Sequence, residues 1–419
     1  MFFTSPFSIL SSLSYLYKTS TQYSKQKSTS SEQTPNSSEK SILSEQKPIS
    51  SENPILSEQN PASSTASKKF SRINSNSVNS RKRFKNYVAF GDSFSDNGNS
   101  YNLTNKIWPT DVNYEGHFTN GKVWTEYLAE LLNIKLINYA YGGATSNSEF
   151  IQGCTGPKSE FQVYGIKQQI EMFIAANTKS KNKNSNSSTL KKFLKSNKIK
   201  KSKKVKDFSR TLFSVWDTGN DYFFSEMRAS PLEVVKSLID ALHLLVNSFP
   251  SINTILIPNI HDLSRIPAFK TCDIEEKTRI SKMIESHNKY LLEHLVKFSR
   301  ETGVRIIYLK IDKFTKELQT KDGMSCFGIS NCVDAAVNLY NNNSEINNDE
   351  IVDLNNNDDH KNKDTFLFWD DYHLTTLVHD ALANLSFEIL EDLSSPLSIH
   401  KRNSIATKTF ALTLGDYIQ

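Results

Sequence analysis

The chain has 419 residues, enough for one large α/β domain with additional polar segments. Its formal net charge of +5 is a mild excess, and its four cysteines include no C-x-x-C pair, which argues against a zinc ribbon or a redox pair. No apolar run reaches the ~18 residues that a membrane-spanning helix needs.

The first 80 residues are dominated by Ser, Glu, Gln, Lys, Asn and Pro. So few large apolar groups cannot offset the entropy of an ordered chain, and we predict a disordered extension over residues 1–80. Apolar side chains among the first 20 residues are diluted by serines and lack a basic start. This pattern is a weak signal peptide or signal anchor and slightly disfavours secretion.

The first predicted strand leads directly to a candidate nucleophile. Residues 87–97 read Y-V-A-F-G-D-S-F-S-D-N, in which a short apolar run ends at Gly91-Asp92-Ser93. A strand that stops there leaves the Ser93 hydroxyl at the carboxyl edge of a sheet, where open α/β sheets bind ligands. Ser93 is therefore either a nucleophile or an ordinary serine in a strand-to-helix turn.

Further strands and helices alternate along the chain. Strands are predicted over residues 136–140, 211–216, 254–257 and 304–309, and amphipathic helices over 124–132, 164–176 and 275–300, from 230 and from 377. Polar stretches at about 179–206 and 341–364 read as insertions, and 396–419 as a C-terminal tail. The alternation predicts a five-stranded parallel sheet covered by helices on both faces, within a domain over residues 85–395.

Ester hydrolysis through a nucleophile needs a base, a group that orients the base, and donors for the oxyanion. His373 is the best-placed base because Asp370 lies three residues before it, a spacing that lets a carboxylate orient the imidazole. Asp371 is a rival for the orienting role. Taken alone, an Asp-x-x-His pair is more often structural than catalytic.

Two later blocks supply candidate oxyanion donors beside the backbone N–H of Ser93. Gly143 follows the second predicted strand and Asn220 follows the third, so both are expected at the same sheet edge. Gly142 could replace Gly143, because the position of the glycine pair is uncertain by one residue.

These four blocks, in this order, resemble the signature of the GDSL esterase/lipase family, also called SGNH hydrolases. The further stretches F-T-N-G-K-V-W (118–124) and N-Y-A-Y-G-G-A-T (138–145) resemble its lipase-like fungal and bacterial branch. The resemblance implies a three-layer, flavodoxin-like SGNH fold, with Ser93, His373 and Asp370 as catalytic residues and Ser93, Gly143 and Asn220 as the oxyanion hole. Leu374 replaces the usual proline after the histidine, and Phe94 the commoner leucine.

The expected function is therefore serine-dependent hydrolysis of a small-molecule, lipid or carbohydrate ester. A carbohydrate acetylesterase and a non-catalytic binding protein of the same fold remain alternatives. No cofactor, metal or specific nucleic acid is expected, since the remaining histidines lack ligand spacing and no aromatic platform accompanies the Lys-rich stretch. Secretion is usual among look-alikes. The cysteine count fits either free thiols or a small loop closed by Cys326 and Cys332.

Overall fold

The computed structural model describes residues 83–178, 206–337, 365–394 and 410–414. The predicted extension 1–80, nearly all of the two insertions and most of the predicted tail lie outside the described residues. Every described residue belongs to one compact unit, Ile73–Gln419.

Ten strands and nine helices of four or more α-helical residues lie within these described ranges. The strands are β1 (Asn86–Gly91), β2 (Lys135–Asn138), β3 (Cys154–Thr155), β4 (Phe161–Gln162), β5 (Thr211–Trp216), β6 (Thr254–Pro258), β7 (Arg305–Leu309), β8 (Asn331–Ala335), β9 (Phe366–Phe368) and β10 (Ala411–Leu414). The helices are α1 (Asn99–Leu103), α2 (Trp124–Leu132), α3 (Ile166–Asn177), α4 (Asn220–Phe224), α5 (Pro231–Ser248), α6 (Ile274–Thr302), α7 (Ile311–Leu318), α8 (Lys321–Phe327) and α9 (Thr376–Ser394).

The central sheet has the order β2-β1-β5-β6-β7-β10, and its first five strands are parallel. The α/β class and the mostly parallel sheet are confirmed. The sheet has six strands rather than five, because β10 pairs antiparallel with β7. Sequence reasoning assigned β10 to the tail, since four residues with no flanking pattern carry too little signal for a strand.

Along the strands of the central sheet, alternate side chains pack into two separate apolar layers. Tyr87 and Ala89 pack in one cluster with residues of α2 and α9, whereas Val88 and Phe90 pack in another with residues of α3 and α5. Successive strand side chains point to opposite faces, so both faces of the sheet are covered. This arrangement is the predicted three-layer architecture.

The strand order reverses next to β1, because the chain runs from β1 to β2 on one side and returns to β5 on the other. Such a switch point opens a crevice at the carboxyl ends of the strands, where doubly wound sheets bind ligands. The turns after β1 and β5 therefore flank this crevice. None of the helices within the described ranges is long and apolar enough to span a bilayer.

Candidate active site

The turn after β1 presents Ser93 and is held by its neighbour Asp92. The Asp92 carboxylate accepts hydrogen bonds from the Phe94 backbone N–H (3.1 Å) and from the Thr218 backbone N–H (2.8 Å) and hydroxyl (2.6 Å). It thus ties the turn after β1 to the turn after β5. Burial raises the pKa of Asp92 to about 6, although the bonds from Thr218 oppose the rise.

Ser93, His373 and Asp370 meet although 280 residues separate the serine from the histidine. The Ser93 Oγ lies 2.8 Å from His373 Nε2, and His373 Nδ1 lies 2.8 Å from Asp370 Oδ2. Both carboxylate oxygens of Asp370 contact Nδ1, which favours Asp370 over its rival Asp371 for the orienting role. A hydroxyl, an imidazole and a carboxylate joined in this order can activate the hydroxyl as a nucleophile.

Asp370 also shapes the loop that carries His373. Its Oδ1 accepts the backbone N–H groups of Tyr372 and His373, each at 2.8 Å, which bends the chain back toward the carboxylate. Burial alone would raise the pKa of Asp370, but the charge and hydrogen bond of His373 lower it below its ordinary value. The Leu374 carbonyl accepts from the Thr119 hydroxyl at 2.9 Å, so the loop is fastened where the usual proline is missing.

Hydrogen bonds of the glycine pair distinguish Gly143 from Gly142. The Gly142 N–H already donates to Asp96 Oδ2 and Ser100 Oγ, each at 2.8 Å. The N–H groups of Ser93 and Gly143 have no acceptor in the part of the chain that the structure describes. Gly143 adopts φ +84°, and a Cβ there would lie 2.0 Å from the Cys154 carbonyl oxygen, so only glycine fits.

Asn220 lies at the start of α4, after β5. One proton of its side-chain amide is donated to the Ala144 carbonyl at 2.9 Å, which leaves the second for a ligand. The next residue, Asp221, accepts the backbone N–H and the hydroxyl of Ser146, each at 2.7 Å. The segment after Gly143 is therefore tied to α4 by two neighbouring side chains.

Buried carboxyl groups surround this edge of the sheet. Burial raises the pKa of Asp221 to about 6, and burial with the charges of Asp221 and Asp92 raises that of Asp217 well above its ordinary value. Asp217 Oδ2 is buried without a hydrogen-bond partner in the described structure. Burying a charged oxygen without a partner costs free energy, which is the physical reason for the raised pKa of Asp217.

Sequence reasoning missed two residues that support the site. Gln169 on α3 accepts from the Gly91 N–H at 3.0 Å and donates to the Gly91 carbonyl at 2.8 Å, so it fixes the end of β1. The sequence pattern that could have indicated this role is a polar residue within the apolar stripe of a predicted helix. The other is Phe118, whose ring lies 5.4 Å from the His373 ring, a contact for which the sequence holds no local signal.

No group of three His, Cys, Asp or Glu residues that could hold a metal ion occurs within residues 83–178, 206–337, 365–394 and 410–414. All four cysteines are free thiols, so the loop considered for Cys326 and Cys332 is not closed.

A family model described as GDSL-like lipase/acylhydrolase matches residues 87–386, which include every residue of this site. The chain is 25% identical over 308 residues to the thermolabile hemolysin of Vibrio parahaemolyticus, a match that covers 73% of this chain and 64% of the hemolysin. It is 41% identical over 71 residues to the phosphatidylcholine-sterol acyltransferase of Aeromonas hydrophila, covering 16% and 21% of the two chains. The chain thus spans less than two thirds of the length of these relatives.

Among solved structures, a member of the lipolytic G-D-S-L family from Veillonella parvula matches with a TM-score of 0.33 and 12% identity. The match covers 72% of this chain and 97% of that one.

Proposed function

Since the chain belongs to the GDSL-like lipase/acylhydrolase family, we propose that it hydrolyses carboxylic esters through an acyl-enzyme on Ser93. The observation that carries this proposal is the continuous hydrogen-bonded path from Ser93 Oγ through His373 to Asp370, with both links at 2.8 Å. A binding protein that merely kept the fold would not need this path.

The proposed reaction has two steps. His373 Nε2 removes the Ser93 proton as Oγ attacks the ester carbonyl, and the same proton then goes to the departing alkoxide, which leaves the acyl group on Ser93. His373 next removes a proton from water, the hydroxide attacks the acyl carbon, and Ser93 leaves and regains a proton. Asp370 stabilises the imidazolium in both steps.

The oxyanion of each tetrahedral intermediate is bound by N–H donors that are already in place. In this proposal they are the backbone N–H groups of Ser93 and Gly143 and the second amide proton of Asn220. Donors aimed at the developing charge lower the barrier because they need not reorganise during the reaction.

We propose an acyl lipid as the substrate. The relatives include one protein named a hemolysin and one named for acyl transfer between phosphatidylcholine and a sterol. A carbohydrate acetylesterase is the alternative, and it differs in the length of the acyl chain that the site accepts.

The test is hydrolysis of p-nitrophenyl esters from acetate to palmitate and of phosphatidylcholine vesicles, with Ser93→Ala in parallel. We expect activity that rises toward long acyl chains and is lost in the variant. Activity confined to acetate would support the acetylesterase. Hydrolysis that survives in Ser93→Ala would contradict the assigned nucleophile, and an inactive wild-type protein would favour the binding protein.

A further inference from the structure

The His373 imidazole contacts two phenylalanine rings besides its hydrogen-bond partners. The Phe118 ring centroid lies 5.4 Å from it at an interplanar angle of 39°, and that of Phe94 lies 5.7 Å away at 48°. Phe94 also contacts Trp216 and is part of the apolar core. Phe118 belongs to neither core cluster, and only 7% of it is exposed.

Phe118 also packs against Gly142, the residue next to the candidate oxyanion donor Gly143. A Cβ added at Gly142 would lie 2.2 Å from Cε2 and 2.3 Å from Cζ of the Phe118 ring, and its three nearest atoms all belong to that ring. Gly142 does not need glycine for its backbone conformation, because its φ lies outside the left-handed region. The Phe118 ring is therefore the obstacle to a side chain at position 142.

The residues around Phe118 fix its backbone. The His117 imidazole bonds the Tyr114 carbonyl at 2.9 Å and the Glu126 carboxylate at 2.8 Å. On the other side, the Thr119 hydroxyl donates to the Leu374 carbonyl at 2.9 Å. Phe118 is thus held on a segment that is fastened directly to the loop of His373.

We propose that Phe118 is a positioning residue that holds the His373 imidazole in line with Ser93, and that this contact is why position 142 is glycine. The inference rests on the proposed function. Rotation of an imidazole about its Cβ–Cγ bond costs little energy. Both oxygens of Asp370 lie within 2.9 Å of Nδ1, so Nδ1 can bond either oxygen as the ring tilts, and the carboxylate alone does not fix the ring. The flat Phe118 ring limits that tilt.

The first test is Phe118→Leu, which keeps an apolar side chain but removes the flat ring. A misplacement of 1 Å can cost about 100-fold in rate, so we expect kcat to fall about tenfold or more, with KM changed less than about threefold. Covalent labelling of Ser93 by a small fluorophosphonate should slow by the same factor. Phe249→Leu is the matched control, since Phe249 is also buried but contacts Phe173 and Phe208. The kcat of this variant should stay within about twofold of the wild-type value.

The second test is a double-mutant cycle. Gly142→Ala should push the Phe118 ring toward His373 and lower kcat, whereas Phe118→Leu lacks the two ring atoms that a Cβ would strike. The double variant should therefore recover to the level of Phe118→Leu. Independent, multiplicative losses would show that Gly142 acts without Phe118 and would overturn the proposal.

Thermal denaturation checks that each variant is folded, and Phe118→Met replaces Phe118→Leu if the latter unfolds. A wild-type kcat in the folded variant would overturn the positioning role while leaving the proposed hydrolysis intact. Loss of the proposed function has a different signature, because wild-type protein would then be inactive on esters. The fluorophosphonate rate would still report whether Phe118 affects the reactivity of Ser93.

Discussion

Replacing Asp370 by Asn should impair the reaction while leaving the fold in place. The asparagine oxygen can still accept the N–H groups of Tyr372 and His373, which now bond Oδ1 at 2.8 Å. Its amide N–H₂ would then face His373 Nδ1. The histidine would shift its proton to Nε2, which could no longer accept the proton of Ser93.

The size of the loss follows from the geometry. Opposite charges 2.8 Å apart attract by about 6 kcal/mol at an effective dielectric constant of about 20. The Asp370 side chain is 33% exposed, so solvent screening reduces this attraction, but the wrong histidine tautomer in the variant adds a loss of up to about 10⁴-fold. We therefore expect kcat to fall about 10²–10⁴-fold.

The assay is kcat on a p-nitrophenyl ester for Asp370→Asn and, as the matched control, for Asp371→Asn. The control changes the same chemical group one residue away and should retain kcat within about threefold. If Asp370→Asn keeps more than about a tenth of wild-type kcat, or if Asp371→Asn is the more damaged variant, the orienting role of Asp370 is wrong.

Three further outcomes are expected. Asn220→Ala should lower kcat about 10²–10³-fold with little change in KM, because the free amide proton of Asn220 is proposed to bind only the oxyanion. A rise in KM as large as the fall in kcat would contradict this role. Gly143→Ala should lower both activity and Tm, because the added Cβ would lie 2.0 Å from the Cys154 carbonyl oxygen and the alanine would have to adopt φ +84°. An unchanged Tm would contradict this strain. The pKa of Asp221 is about 6 in the folded protein and about 3.9 in the unfolded chain. The folded state therefore binds the proton more tightly, so the free energy of unfolding should fall as the pH rises between these two values. In urea titrations Asp221→Asn should flatten this slope by up to about 1.4 kcal/mol per pH unit, and an unchanged slope would refute the assignment.

The sequence was most informative about the edge of the sheet. Ser93, Gly143 and Asn220 follow three parallel strands, and the carboxyl ends of such strands lie at one edge, so their proximity could be inferred from order alone. Whether Gly142 or Gly143 offers a free N–H could not be inferred. That depends on hydrogen bonds from Gly142 to Asp96 and Ser100, which are set by tertiary packing.

The loop of Asp370 and His373 was harder to place. It follows β9, which pairs with β8 outside the central sheet, so strand order does not bring it to Ser93. The Asp-x-x-His spacing indicated only that the two side chains could contact each other. The prediction that they act together with Ser93 came from the resemblance to the family. The contact between Phe118 and His373 joins residues far apart in sequence and has no local pattern that would predict it.

The central claim is that Ser93 carries the acyl group during turnover. The most direct measurement is mass spectrometry of protein quenched in acid within milliseconds of mixing with a p-nitrophenyl ester, followed by mapping of the modified peptide. We predict a mass increase equal to one acyl group on the peptide that contains Ser93, absent from Ser93→Ala. An acyl group on another residue, or rapid turnover with no acylated protein under conditions where deacylation is rate-limiting, would contradict the account.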